Sequence, residues 1–195
     1  MGCFAENTAD KYGFTRAMQD AFATESVRRA QRAVRDGDFV AEIAPVTLKT
    51  RKGEQVLSQD ETPLALDIEK IPALKPVFRK DGTVTAAASS SISDGAAAIL
   101  LMTAGEAARR GLKPLARIVA QASHAQEPEW FTTAPAPAMQ KLLAASHWQA
   151  SDVDLFEVNE AFACVTMGAM KDLGIPRDKV EVIPTVKRAD VELVF

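Results

Sequence analysis

Asp154-Leu155-Phe156-Glu157-Val158-Asn159-Glu160-Ala161-Phe162-Ala163-Cys164-Val165 is the stretch that decides the fold class. Residues 154–158 predict a buried strand and Asn159-Glu160 its exit. Residues 161–173 predict a helix closed by Gly174 and Pro176. A polar pair where a buried strand hands over to a helix sits at the place where open α/β sheets hold ligands.

Upstream, the same logic repeats. Residues 96–102 form a continuous apolar run of the kind buried on both faces of a sheet, after a turn at Asp94-Gly95. Thr103-Ala104-Gly105-Glu106 is a capping box that opens a helix ending at Gly111. Residues 115–122 read as a second buried strand and 126–137, with Pro128, Pro135 and Pro137, as a loop. Residues 138–146 read as a helix with Met139, Leu142 and Leu143 inward, and 179–183 begin a further strand. Strands alternating with helices predict an α/β layered fold.

The first third is helical, then extended. Residues 6–12 predict a short helix stopped by Gly13. Thr15 caps a longer one that runs to Asp36 and stops at Gly37, with Met18, Ala21, Phe22, Ala30, Ala33 and Val34 as its buried face. Arg28, Arg29, Arg32 and Arg35 read as its solvated basic side. Residues 41–50 and 54–58 predict strands around a turn at Arg51-Lys52-Gly53. Residues 60–75, with a short helix near 68–74, read as an excursion laid over another layer.

Composition excludes several classes. The 195 residues are 47% hydrophobic and 25% charged, as in an ordinary globular protein, with a net charge of −3. That balance lacks the basic excess of a general nucleic-acid binder, and no apolar run approaches the ~20 residues of a membrane span. Two cysteines, Cys3 and Cys164, make neither a disulfide framework nor a zinc site, and with no leader read at the N-terminus a cytoplasmic setting is expected.

The chemistry-bearing candidates are few. At Asn159 the amide and the adjacent helix N-terminus can hold a carbonyl oxygen that gains negative charge, directly or through a water. Alternatively, Asn159 and Glu160 simply cap that helix. His124 and His147 lie on polar stretches without a partner at ligand or triad spacing. No nucleophile elbow, dinucleotide fingerprint or P-loop is present. Cys164 reads as a small buried hydrophobe, and Cys3 precedes a helix without a base nearby in sequence.

Several runs, in order and spacing, resemble the thiolase family. They are Ala5-Glu6-Asn7, Gln19-Asp20-Ala21-Phe22, Leu74-Lys75-Pro76-Val77-Phe78, Asp81-Gly82-Thr83-Val84-Thr85-Ala86, Ser93-Asp94-Gly95-Ala96-Ala97-Ala98 and Asn159-Glu160-Ala161-Phe162. Gly111-Leu112-Lys113-Pro114-Leu115-Ala116-Arg117-Ile118 and Gln126-Glu127-Pro128 are similar to the bacterial acetyltransferase branch of that family. The resemblance implies a layered αβαβα fold, present here incompletely. Residues 1–83 would be loop domain over the active site, 84–113 the end of the first half, 114–183 the start of the second and 184–195 a divergent tail.

It also implies acyl transfer between coenzyme A thioesters, by Claisen condensation of acetyl-CoA or thiolysis of a 3-ketoacyl-CoA. That chemistry belongs to fatty acid metabolism. It needs no cofactor beyond the thioester substrates and occurs in homo-oligomers, dimers or tetramers. Asn159 would position the water of an oxyanion hole and Glu160 would brace it. Ala161 and Phe162 would line the acyl pocket, Ser90 and Ala86 would meet the pantetheine arm, Phe78 would pack along the coenzyme, and Met1 would lie near the thioester end.

The departures are specific. The resemblance places the nucleophilic cysteine upstream of Met1, and neither Cys3 nor Cys164 stands in its motif. Where a Gly-His-Pro segment is expected, the chain reads Ile183-Pro184-Thr185-Val186-Lys187-Arg188. Ala88 replaces a usual Asn, and Leu64 an Arg often used near the adenine. The chain by itself is therefore expected to be inactive. An alternative reading is a non-catalytic chain that binds coenzyme A or pairs with a full-length thiolase subunit. A ketoacyl synthase relative is disfavoured because Asn, not His, stands at 159.

Overall fold

Glycine stops set the first two helices. Gly13 and Gly37 adopt φ of 71° and 74°, the left-handed conformation that an L side chain resists, and end α1 (Gly2–Tyr12) and α2 (Arg16–Asp36). The Thr15 side chain accepts the Met18 N–H at the start of α2. The computed structural model describes residues 1–180 and the backbone of 191–193. After α2 come β1 (Val46–Thr50) and β2 (Gly53–Leu57), an antiparallel hairpin in which Val46 opposes Leu57 and Thr50 opposes Gly53. Then follow α3 (Glu61–Ala65), a 3₁₀ turn at Ile68–Ala73, α4 (Ala104–Arg109), β3 (Ala116–Ile118), a 3₁₀ turn at Pro128–Thr133, α5 (Pro135–Ser146), α6 (Ala163–Leu173) and β4 (Val191–Leu193).

The core lies between α1, α6 and the extended segment before α6. Ala5 and Ala9 on α1 and Cys164, Val165 and Ala169 on α6 pack with Val84, Phe156, Val158, Phe162 and Val180. Small residues on both helices keep their axes close. The Tyr12 hydroxyl donates to Asp172 at 2.6 Å, and the Thr8 and Thr132 hydroxyls meet at 2.5 Å in the interior. Helix α2 carries the excursion: Arg16 donates to the carbonyls of Ile71, Pro72 and Leu74, and Gln31 to those of Pro63 and Leu66.

Several expected elements differ. Met18 and Ala21 are exposed, because α2 is rotated to bury Gln19, Phe22, Ala23, Val27 and Ala33, with the Gln19 amide donating to the Thr83 hydroxyl at 2.7 Å. The first helix starts earlier than residue 6, at Gly2. The strand expected over 41–50 begins at Val46. Pro45 has no N–H for a ladder, and Glu42 and Ile43 bond back to Phe39 instead. The loop expected over 126–137 is a 3₁₀ turn followed by α5, whose Pro135 costs nothing at a helix start, where its missing N–H has no partner.

The apolar run 96–102 forms no strand. Ile99, Leu100 and Leu101 are 68–80% exposed, and among the described residues no backbone N–H of 91–102 bonds to a backbone carbonyl. A buried strand exists only where neighbours complete its ladder, and the described segments supply none. The strand expected over 115–122 shrinks to Ala116–Ile118, largely exposed and paired in parallel with Val191–Leu193. The buried strand expected over 154–158 does not form: Phe156 and Val158 are buried, but the segment makes only a single parallel bridge, Phe156 to Val180. The strand expected over 179–183 reaches past Val180 into residues outside those described.

Candidate functional site

The small-residue run Ala86-Ala87-Ala88-Ser89-Ser90 and the 159–162 corner, some seventy residues apart in sequence, form one strip. The Ser90 N–H donates to the Ala161 carbonyl at 3.1 Å and the Ala163 N–H to the Ala88 carbonyl at 2.9 Å, with Ser89 bridged antiparallel to Phe162. Only small side chains permit this approach: Ala88 lies buried against Phe22 and Ala163. Ala86 and Ser90 face solvent at either end of the run.

Asn159 is not a helix cap. The N-cap of α6 is Phe162, extended at φ −146° and ψ 155°, with no side-chain cap bond. Three residues earlier, the Asn159 carbonyl accepts the Ala161 N–H at 2.8 Å, which makes a tight turn with Glu160 at its apex. The Asn159 side chain is exposed and makes no hydrogen bond among the described residues, so its amide is available to a ligand oxygen. Glu160 accepts the Ser26 hydroxyl at 2.6 Å. Desolvation, then the nearby Glu160 carboxylate, pushes Glu157 above the usual carboxylate range.

Aromatic rings wall the other side. Phe162 is buried and meets Phe78 edge-on at 6.0 Å and Phe131 at 6.5 Å, and Phe131 in turn meets Phe4. Phe78 is 38% exposed and lies flat against Gly2, where an added Cβ would stand 2.2 Å from the ring. Met1, 77% exposed, precedes Gly2 at the start of α1. The sequence-predicted residues Met1, Phe78, Ser90, Ala161 and Phe162 thus lie along connected elements. Leu64 is exposed on α3, which packs on α2.

The thiols and imidazoles stand elsewhere. Cys164 is fully buried and donates to the Ala5 carbonyl at 3.6 Å; burial pushes its thiol up to about 12. At neutral pH the group is therefore held as the thiol. At pH ~8 a thiol reagent is expected to modify the exposed Cys3 alone in the folded chain and both cysteines after unfolding. Rapid labelling of Cys164 in the folded state would contradict this geometry. His147 is the left-handed cap of α5, and His124 bonds Gln126. Among the described residues no cluster of His, Cys, Asp and Glu could hold a metal, and no helix is long and apolar enough to cross a membrane.

Sequence reasoning missed Ser26, Gly2 and Phe131. Ser26 carried a usable signal: it falls four residues after Phe22 on the inward stripe of α2, where a polar side chain needs a buried partner. Nothing local marks Gly2 or Phe131, whose partners lie far along the chain.

The family model described as "Thiolase, N-terminal domain" matches residues 1–105, and "Thiolase, C-terminal domain" matches 112–184. The acetyl-CoA acetyltransferase of Escherichia coli (strain K12) is 48% identical over 183 residues, covering 93% of this chain and 46% of that one. The protein of that name from Paracoccus denitrificans is 46% identical, covering 89% and 45%. The crystal structure of Bacillus anthracis acetyl-CoA acetyltransferase superposes with a TM-score of 0.90 at 42% identity, over 94% of this chain and 47% of that chain. The chain thus spans under half the length of the relatives it matches, and its expected layered α/β fold is that of these structures. This chain belongs to the thiolase family.

Proposed function

We propose that these residues form the acyl-coenzyme side of an acetyl-CoA C-acetyltransferase site, working in the cytoplasm on acetyl-CoA or a 3-ketoacyl-CoA without a further cofactor. The observation that carries the reading is the backbone pairing of residues 88–90 with 161–163, flanked by Phe78. It sets a narrow, side-chain-poor strip beside an amide with free donors. The Asn159 N–H groups stabilise the oxyanion that develops on a thioester carbonyl, directly or through a water, and Glu160 braces the turn that presents them. Ala161 and Phe162 bound the acyl group, Phe78 and Met1 flank the thioester arm, and Ala86 and Ser90 lie along the pantetheine. Residues 1–83 cover the site, and 84–113 and 114–183 belong to the two halves of the fold. The full assembly is a homo-oligomer.

Claisen chemistry also needs a thiolate and a second base. Cys164 is buried as a thiol, and His124 and His147 serve structural contacts. We therefore expect this chain alone to bind thioesters without turning them over. Acetoacetyl-CoA thiolysis on the purified chain should stay at background, while a calorimetric titration with acetyl-CoA shows saturable binding. Thiolysis above background refutes the assignment of roles, and absence of saturable binding refutes the site. A second reading, pairing with a thiolase subunit, is favoured by the exposed run Ile99, Leu100, Leu101 and Met102. Co-purification with a full-length subunit would select it.

A further inference from the structure

Resting on that reading, we infer that Ser26 is a positioning residue for Asn159, acting through Glu160. Ser26 sits mid-helix on α2, half-buried. A serine there ordinarily bonds back to the carbonyl one turn earlier, which weakens the helix for no gain. Ser26 instead spends its proton across 134 residues of sequence, donating to Glu160 Oε2 at 2.6 Å. Glu160 is the apex of the turn closed by the Ala161 N–H on the Asn159 carbonyl. Holding the apex side chain therefore sets the plane of the Asn159–Glu160 peptide, and with it the direction in which the Asn159 amide leaves the backbone. The same turn delivers the Ala161 carbonyl to Ser90, so its orientation is shared with the small-residue run. A hydrogen bond to an ionised acceptor is strong enough to matter.

The test separates positioning from packing and from the proposed activity. Amide hydrogen exchange by NMR is measured in the ligand-free chain for Ala161, within the turn, and Ala169, in the middle of α6. In Ser26→Ala, exchange at Ala161 should rise about tenfold while Ala169 stays unchanged, because one charge-assisted bond is lost locally. Ser26→Thr, which keeps the hydroxyl, should restore the parent rate. Glu160→Gln, which keeps an acceptor oxygen but not its charge, should fall between the parent and Ser26→Ala, and Glu160→Ala should resemble Ser26→Ala. The second readout is the ratio of acetyl-CoA to free coenzyme A dissociation constants. Ser26→Ala should weaken acetyl-CoA about tenfold and leave free coenzyme A unaffected, since only the thioester carbonyl reads Asn159. Equal exchange changes at Ala161 and Ala169, or none at Ala161, overturn the inference. A parent chain that fails to bind acetyl-CoA refutes the site reading instead, and the exchange comparison still decides whether Ser26 orders the turn.

Discussion

Replacing Glu6 by Ala is expected to lower folding stability by about 3–5 kcal/mol, read as a shift of the urea midpoint. Glu6 is 1% exposed on α1, and its carboxylate accepts three backbone contacts, from Thr83 N–H at 2.9 and 3.1 Å and from Val84 N–H at 3.0 Å. It also accepts the Thr83 hydroxyl at 3.2 Å, and the Arg79 guanidinium lies 3.6 Å away. Truncation strands those donors in the interior, where each unmet bond costs about 1–3 kcal/mol. The loss is a large share of the 5–15 kcal/mol that ordinarily separates folded from unfolded chains. Gly82 belongs to the same device, since a Cβ there would stand 2.1 Å from Glu6 Oε1. Glu6→Gln, which keeps one acceptor oxygen but turns an NH₂ toward the donors, should cost about half as much and remain measurable if the Ala variant does not fold. A Glu6→Ala midpoint within about 1 kcal/mol of the parent would sink this account of how α1 holds the 79–85 loop.

Phe162→Ala should cost about 3–4 kcal/mol, by loss of apolar transfer and by the cavity left among rings that cannot collapse together. Phe162 is 7% exposed, touches Phe78 and Phe131 edge-on, and begins α6, so its ring joins the core to the strip where the coenzyme is proposed to lie. Phe78→Ala supplies the contrast. That ring is 38% exposed, so its removal should cost no more than about 1 kcal/mol while weakening acetyl-CoA binding. Thermal denaturation of both variants beside an acetyl-CoA titration makes the comparison. Equal destabilisation by the two substitutions would mean that the aromatic row is core throughout and no part of it a ligand wall.

Electrostatics support the same division between frame and site. Arg79 grips Asp10 with its two terminal guanidinium nitrogens, at 2.8 and 3.0 Å, and that bond holds the Asp10 carboxyl below its usual range. The Glu157 shift runs the other way, because desolvation and the Glu160 charge oppose its ionisation. The paired carboxylates Glu157 and Glu160 flank Asn159 without an intervening cation among the described residues, whereas Glu6 and Asp10 share Arg79.

Local chemistry determined much of this chain from sequence alone. Caps such as Thr15, Thr103, Gly13 and Gly37 act on neighbours within a turn, so α2, α4 and the C-terminal end of α1 were readable without a fold. The family motifs were readable for the same reason, as was the inertness expected of Cys164. What sequence could not determine was which apolar runs find partners. Residues 96–102 carry the pattern of a buried strand but are exposed here, because a ladder depends on segments distant in the chain. The Ser26–Glu160 bond, the Glu6 grip on residues 83–84 and the placement of Phe78 over Gly2 are likewise contacts across tens to more than a hundred residues. Only the packing of α1, α2 and α6 brings those atoms within bonding distance, and short-range propensity carries no record of it.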